Sequence, residues 1–366
     1  MKTLPYSNYV KMGCDPEFFF TKGNRVIGSE KVLPKDGLNC VNPQNNPWGK
    51  IVQDGVQAEI HPLPSQCRES LRYNLSSIVR ILSENLPKGV KIDLLSQVRK
   101  VSKKELESLS KDSRVFGCMP THNYYGENNA VNLVDPSIYR YRSCGGHIHL
   151  GVIEDEPANQ FMNHDHAQKM ATAIRNYEKL VPLLDVLVGN TCVLLDRHIL
   201  NKERRKVYGR AGEYRLPKHG LEYRTLSNFW LRSYPLMSFA FALARMAVNI
   251  LAHSTKKDNY YEAIMSQVKL SEIEQAINTN NFNLAYQNLL KVQPAIEDFS
   301  NPSYPLSKEN LPFFHYFVGR GVGYWFKGDP LKHWAGTPNM GWERFLFEVV
   351  KPDIAKTQNN LKKCVE

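Results

Sequence analysis

The chain has 366 residues, 42% hydrophobic and 23% charged, which excludes a disordered tail or a fibre and allows one large domain or two ordinary ones. Lys and Arg total 47 against 36 Asp and Glu, a net charge of +11 that favours phosphate-bearing partners without choosing among nucleotides, nucleic acid and anionic surfaces. Seven cysteines without a CxxC pair argue against a disulfide scaffold or a cysteine zinc cluster, and MKTLPYSNYV lacks a signal peptide's apolar region, so the expectation is a soluble cytoplasmic protein.

The N-terminal third reads as strand-rich. Cys14–Phe20 is a short apolar run with acids inserted, and Arg25–Ser29 follows the turn residues Lys22-Gly23-Asn24. Leu33–Trp48 is rich in Pro, Asn and Gly and reads as a loop; Lys50–His61 reads as one strand. Pro64–Asn85 has helical spacing, with Cys67, Leu71, Leu75, Ile78, Val79 and Leu82 on one face. Lys91–Val101 alternates as a strand would. Phe116–Tyr141 is aromatic, Asn-rich and irregular, a long loop and a candidate lid.

Ser143–Val152 reads as a strand opened by glycines, and His164–Val188 as one long helix. Arg197–Pro217 is an arginine-rich loop, Gly220–Leu226 a strand and Asn228–His253 a helix. Its apolar stretch, Leu236 to Ala252, is interrupted by Arg245 and Asn249, which fits a buried helix rather than a membrane span. Helical patterns follow over Tyr260–Val268, Ser271–Asn278, Phe282–Val292, Lys308–Val318 and Trp342–Val349.

Four segments carry most of the chemistry: Gly13-Cys14-Asp15-Pro16-Glu17, Asp54 to His61, Cys144 to Gly151, and Leu221-Glu222-Tyr223-Arg224. Residues i and i+2 of a strand share a face, which pairs Asp15 with Glu17, His147 with His149 and Glu222 with Arg224, and groups Gln57, Glu59 and His61. Asp54 is out of phase with Glu59 unless a bulge at Gly55 re-aims it. Alone, DPE is usually a turn, HxH a hydrogen-bonded pair and ExR an ion pair. Together, on apolar strands, they need a neutraliser, and carboxylates with a few imidazoles suit Mg²⁺ or Mn²⁺. Arg204, Arg205, Arg210 and Arg215 form either a solvated basic loop or nucleic-acid patch, or a clamp on a nucleotide polyphosphate. Cys144 is adjacent to the histidines, but a small packed residue is the better reading than a nucleophile.

GCDPEFFF, DGVQAEIHP, CGGHIHLG and EYRLPKHGLEYR, in that order, resemble the motifs of phage-type amidoligases, which are carboxylate–amine ligases of the glutamine synthetase and glutamate–cysteine ligase superfamily. The resemblance spans residues 13 to about 230 and ends before 255. It implies an α+β fold, a curved antiparallel sheet lining the active site with helices packed outside; a composition shift near Ser254–Asp258 and the helical pattern after it add the expectation of a catalytic domain over residues 1–255 and a helical extension over 256–366, separate or packed on the same domain. The resemblance implies Asp15, Glu17, Glu59, His147 and Glu222 as ligands of two or three Mg²⁺ or Mn²⁺ ions. His149, Arg210, Arg215 and Arg224 would bind ATP; Asp54, His149, Arg210 and Arg224 would serve catalysis. The implied reaction joins a carboxylate to an amine through an acyl phosphate. The substrates would be an amino acid, a peptide or a protein side chain, and a homo-oligomer stays open. The rival readings are a metal-dependent hydrolase using the HxH pair, a nitrogen phosphotransferase and a basic nucleic-acid-binding protein. A mid-chain HxH with acids before and after it favours the ligase over the hydrolase, the phosphotransferase is a variant that the same superfamily fold can host, and nucleic-acid binding does not explain acids in i, i+2 pairs with histidines.

Overall fold

In the computed structural model, the described residues are 9–114, 121–126, 135, 137–152, 164–298, 330 and 334. Thirteen strands occur among them: β1 (Val10–Cys14), β2 (Glu17–Lys22), β3 (Arg25–Ile27), β4 (Leu38–Val41), β5 (Pro47–Asp54), β6 (Gln57–Pro62), β7 (Val90–Asp93), β8 (Val98–Lys100), β9 (His122–Asn123), β10 (Tyr141–Ser143), β11 (Ile148–Val152), β12 (Glu213–Arg215) and β13 (Gly220–Tyr223). They form a mixed α/β molecule with a curled antiparallel half-barrel. One sheet runs β1-β11-β13-β12-β9, a second runs β3-β2-β6-β5-β4 with β7 also on β2, and β8 pairs with β10.

Several expected elements divide. The Cys14–Phe20 run is two strands in different sheets, because Pro16 lacks the N–H that a ladder needs. Lys50–His61 is a hairpin: Gly55, at φ 58°, turns the chain so that Asp54 pairs with Gln57. Leu33–Trp48 contains β4, and Lys91–Val101 contains β7 and β8. Asn176 caps a new helix from inside the expected one, its side chain accepting from the Lys179 amide. That long helix becomes His164–Arg175 and Tyr177–Leu184, followed by a π-helical turn over Asp185–Gly189. The patterns at Lys308–Val318 and Trp342–Val349 lie outside the described residues.

The apolar side of the first sheet presents Val10, Met12 and Cys14, Ile148 and Leu150, and Leu221 and Tyr223 to one large core. Helices His164–Arg175 and Tyr234–His253 cover it. The latter is the one helix among the described residues with the length and composition to cross a membrane, but 89% of its apolar window is buried inside the protein. Arg68–Glu84 packs Leu71, Leu75, Ile78, Val79 and Leu82 into the same core, at roughly 1.5–3 kcal/mol per fully buried side chain. Cys67 is exposed and precedes that helix. The helices beyond residue 255 join this core too: Ile264, Ile273, Ile277, Leu289 and Val292 are buried in it.

Candidate active site

Strand alternation divides β1 and β11 into an apolar face and a polar one. Opposite the core lie Lys11, Gly13 and, just past the strand end, Asp15. Gly13 is paired with His149, and His149 with Glu222, which is paired with Arg215. The Asp15-Pro16 step then carries the chain into the second sheet, where Glu17 pairs with Glu59 and Glu59 with Val52. The two sheets thus deliver their acids to one junction.

At that junction one ligand atom each from Asp15, His147 and Glu222 lie within 4.8 Å of one another, and so do atoms of Glu17, Glu59 and His147. His147 Nδ1 is 3.1 Å from Asp15 Oδ1 and 3.5 Å from Glu222 Oε1, and His149 Nε2 is 3.1 Å from Asp15 Oδ2. Buried Asp15 Oδ1, both ring nitrogens of His147 and His149 Nε2 make no well-formed hydrogen bond. Oxygen and imidazole atoms that converge in this way, paired by charge rather than by well-formed hydrogen bonds, are a donor set suited to hard divalent cations.

The electrostatics agree. Burial, and then the neighbouring Asp54, push the Glu17 carboxyl up to about 8. Burial and the charges of Asp15, Asp54, Glu17 and Glu222 raise Glu59 well above the usual carboxylate range. Burial also penalises the Asp15 charge, but His147 and His149 outweigh it and hold Asp15 low. Burial, with Arg224, lowers His147, whereas Asp15 overcomes burial to raise His149. Acids held protonated for want of counter-charge are what a cation would correct.

Asp54 joins the cluster because the Gly55 turn, not a bulge, aims it. Burial and Asp15 push its carboxyl up to about 6, against Arg224 and Arg215. Arg224 donates a short hydrogen bond to Glu222 Oε1, and Arg215 Nη1 lies 3.8 Å from the same oxygen. Arg210 is not among the residues paired with these acids; its Nε is buried without a hydrogen-bond partner, and its carbonyl accepts from Thr225 Oγ1 at 3.0 Å. Arg204 and Arg205 are no phosphate clamp: both are buried and donate to the Thr225 carbonyl, Arg204 also to those of Arg224 and Leu226. Cys144 is fully buried, and burial raises its thiol well above the ordinary value, which fits packing rather than a nucleophile. Of the candidate lid, residues 116–120, 127–134 and 136 lie outside the described residues; His122–Asn123 is an edge strand paired with β12.

Three further residues reach the site. His61 Nε2 is 2.6 Å from Glu59 Oε2, a contact that the i, i+2 spacing hints at. His219 stacks on His149, with Nε2 3.0 Å from His149 Nδ1; its place beside the GLEYR segment is the only clue in sequence. Tyr208 donates to Glu17 Oε2 at 2.7 Å across 191 residues, and no local pattern marks it. Beside the cluster, Lys11, Gly13, Asp15, His61, His149 and His219 help to line a cavity of about 330 Å³.

A family model described as phage phiEco32-like COOH.NH2 ligase-type 2 matches residues 129–324. That is more than half of the chain, and it extends beyond the end of the motif resemblance. No curated protein matches the chain. Among solved structures, a bifunctional glutathione synthetase from Pasteurella multocida is similar over 90% of this chain and 56% of its own, with 11% identity and a TM-score of 0.37. The chain therefore spans little more than half of that protein's length, and the likeness is too loose to fix a fold.

Proposed function

The chain belongs to the phage phiEco32-like COOH.NH2 ligase-type 2 family, and from that premise we propose that it is an ATP-dependent carboxylate–amine ligase that works through an acyl phosphate. The observation that supports this is the double donor set Asp15/His147/Glu222 and Glu17/Glu59/His147, flanked by arginines and a ligand-sized cavity. In this reading those five residues hold two Mg²⁺ or Mn²⁺ ions in a glutamine synthetase-like catalytic domain over residues 1–255, with the later helices packed on it. Bound there, the ions would supply the positive charge that lets a carboxylate approach a triphosphate.

The chain's own residues supply the rest. Arg215 and Arg224 add fixed positive charge beside Glu222, and Arg210 offers a further guanidinium from the same loop. His149, held by Asp15 and His219, faces the cavity where the nucleotide would lie and meets the transferring phosphate. The substrate carboxylate oxygen attacks the γ-phosphorus, ADP leaves, and the acyl phosphate forms. An amine then attacks the acyl carbon and phosphate departs. Asp54, with its carboxyl near 6, is the group that takes the amine's proton. The acid and the amine are an amino acid, a peptide or a protein side chain.

Calorimetric titration of a non-hydrolysable ATP analogue, with and without Mg²⁺, tests this. We expect metal-dependent binding that both Glu59→Ala and His147→Ala abolish. An absence of nucleotide binding under every metal condition would overturn the ligase mechanism proposed here.

A further inference from the structure

We propose that Tyr208 is a positioning residue that fixes Glu17 as a one-oxygen cation ligand and sets the ring plane of His147. This rests on the metal-site reading above and adds a residue to it.

Tyr208 is 4% exposed, and its hydroxyl donates to Glu17 Oε2 at 2.7 Å. The Gly145 amide donates to the same oxygen at 2.9 Å. Two donors on Oε2 leave Oε1 for the cation. The phenol has one proton, and its contact to Glu17 at 2.7 Å is far shorter than that to the Ser143 carbonyl at 3.4 Å, which also accepts from the side-chain amide of Gln57. The proton therefore goes to Glu17. The Tyr208 ring also meets His147 edge-on, with centroids 5.9 Å apart at 75°. One side chain thus touches two of the three residues of the second donor set.

The surroundings hold Tyr208 as firmly as it holds its partners. The Arg204 guanidinium lies 4.7 Å from its ring centroid and is itself tied to the carbonyls of residues 224–226. Gly209 follows with φ at 73°, and a Cβ there would strike Arg204. Its amide donates to Glu213 Oε2 at 2.7 Å. A Cβ at Gly145 would meet His147 and the Tyr208 hydroxyl, so only glycine lets this amide reach Glu17. Outer partners of this kind orient ligands, and their loss typically weakens metal affinity about 10–100-fold.

The test is Mn²⁺ titration of the full chain, followed by electron paramagnetic resonance and calorimetry, for the natural protein, Tyr208→Phe and Glu17→Gln. We expect two Mn²⁺ sites in the natural protein and loss of one in Glu17→Gln. In Tyr208→Phe that same site should weaken about 10–100-fold, the other, which shares His147, should weaken by less, and the metal-free melting temperature should hold within a few degrees. Unchanged Mn²⁺ affinity in Tyr208→Phe would overturn the role of Tyr208 alone. A collapse of its metal-free melting temperature would overturn it in favour of packing. A natural protein that binds no Mn²⁺, or a Glu17→Gln variant that keeps both sites, would overturn the metal-site reading beneath it.

Discussion

Asp185 is a fully buried carboxyl on the π-helical turn, remote in sequence from the four motif segments. Tyr223 donates to its Oδ1 at 2.7 Å and Thr225 at 3.4 Å, and Arg205 and Tyr125 lie near it. Burial outweighs these partners and pushes its pKa up to about 7, from an ordinary 3.8. The folded state therefore holds this proton more tightly than the unfolded one. Its contribution to stability is full below about pH 4 and is lost as pH rises through about 7. In metal-free buffer Asp185→Asn should thus gain on the natural protein between pH 4 and 8, by on the order of a few kcal/mol. Chemical denaturation of both across that range checks this; a pH-independent difference would place the charge elsewhere.

The segment from Cys144 to His147 joins β10 to β11 and works as an element without regular structure. The Cys144 amide donates to the Gln97 carbonyl and the Gly146 amide to the Leu226 carbonyl, while Trp230 Nε1 donates to the Gly146 carbonyl. A Cβ on Gly146 would lie 2.5 Å from both the Ser227 carbonyl oxygen and Trp230 Nε1, so the backbone would have to move. Gly146→Ala should cost about 1–3 kcal/mol, the usual penalty for overpacking, and urea denaturation would show it. Glycines beside HIH read, in sequence, as room for a ligand to approach the backbone, whereas protein atoms pack against Gly146. What approaches them was not legible, because Ser227 and Trp230 come from another part of the chain. Similarly, Glu59 and His61 were legible as neighbours on one face, but the reversal that brings Asp54 to them depends on a single left-handed glycine.

Among the described residues a large apolar core runs from the sheets to the helices beyond 255, beside a smaller cluster around Phe19 and Cys144. Asn190 Nδ2 donates to the Ala285 carbonyl, and Asn278 Oδ1 accepts from the Ala211 amide in the arginine loop. A chain ending at Ser254 would expose Leu187, Val193 and their neighbours to water and leave these groups unpartnered. Such a chain should fail to give a cooperative melting transition; calorimetry of the truncated protein is the check, and a cooperative melt would mean that residues 1–254 fold alone. The composition shift near Ser254–Asp258 marks a loop between helices and no gap in the core.

Local spacing was enough to place Glu59 and His61 on one strand face and to read the buried stripe of Arg68–Glu84, because alternation and helical period are properties of neighbouring residues; Asp15 and His147 lie just outside the strands, so alternation alone does not aim them. Only the tertiary structure decided that Arg204 and Arg205 serve backbone carbonyls, that Tyr208 and His219 reach the cluster, and that Asp54 faces it. Those roles follow from which strands pair and which loop folds over them, and such contacts are selected by burial across the whole chain.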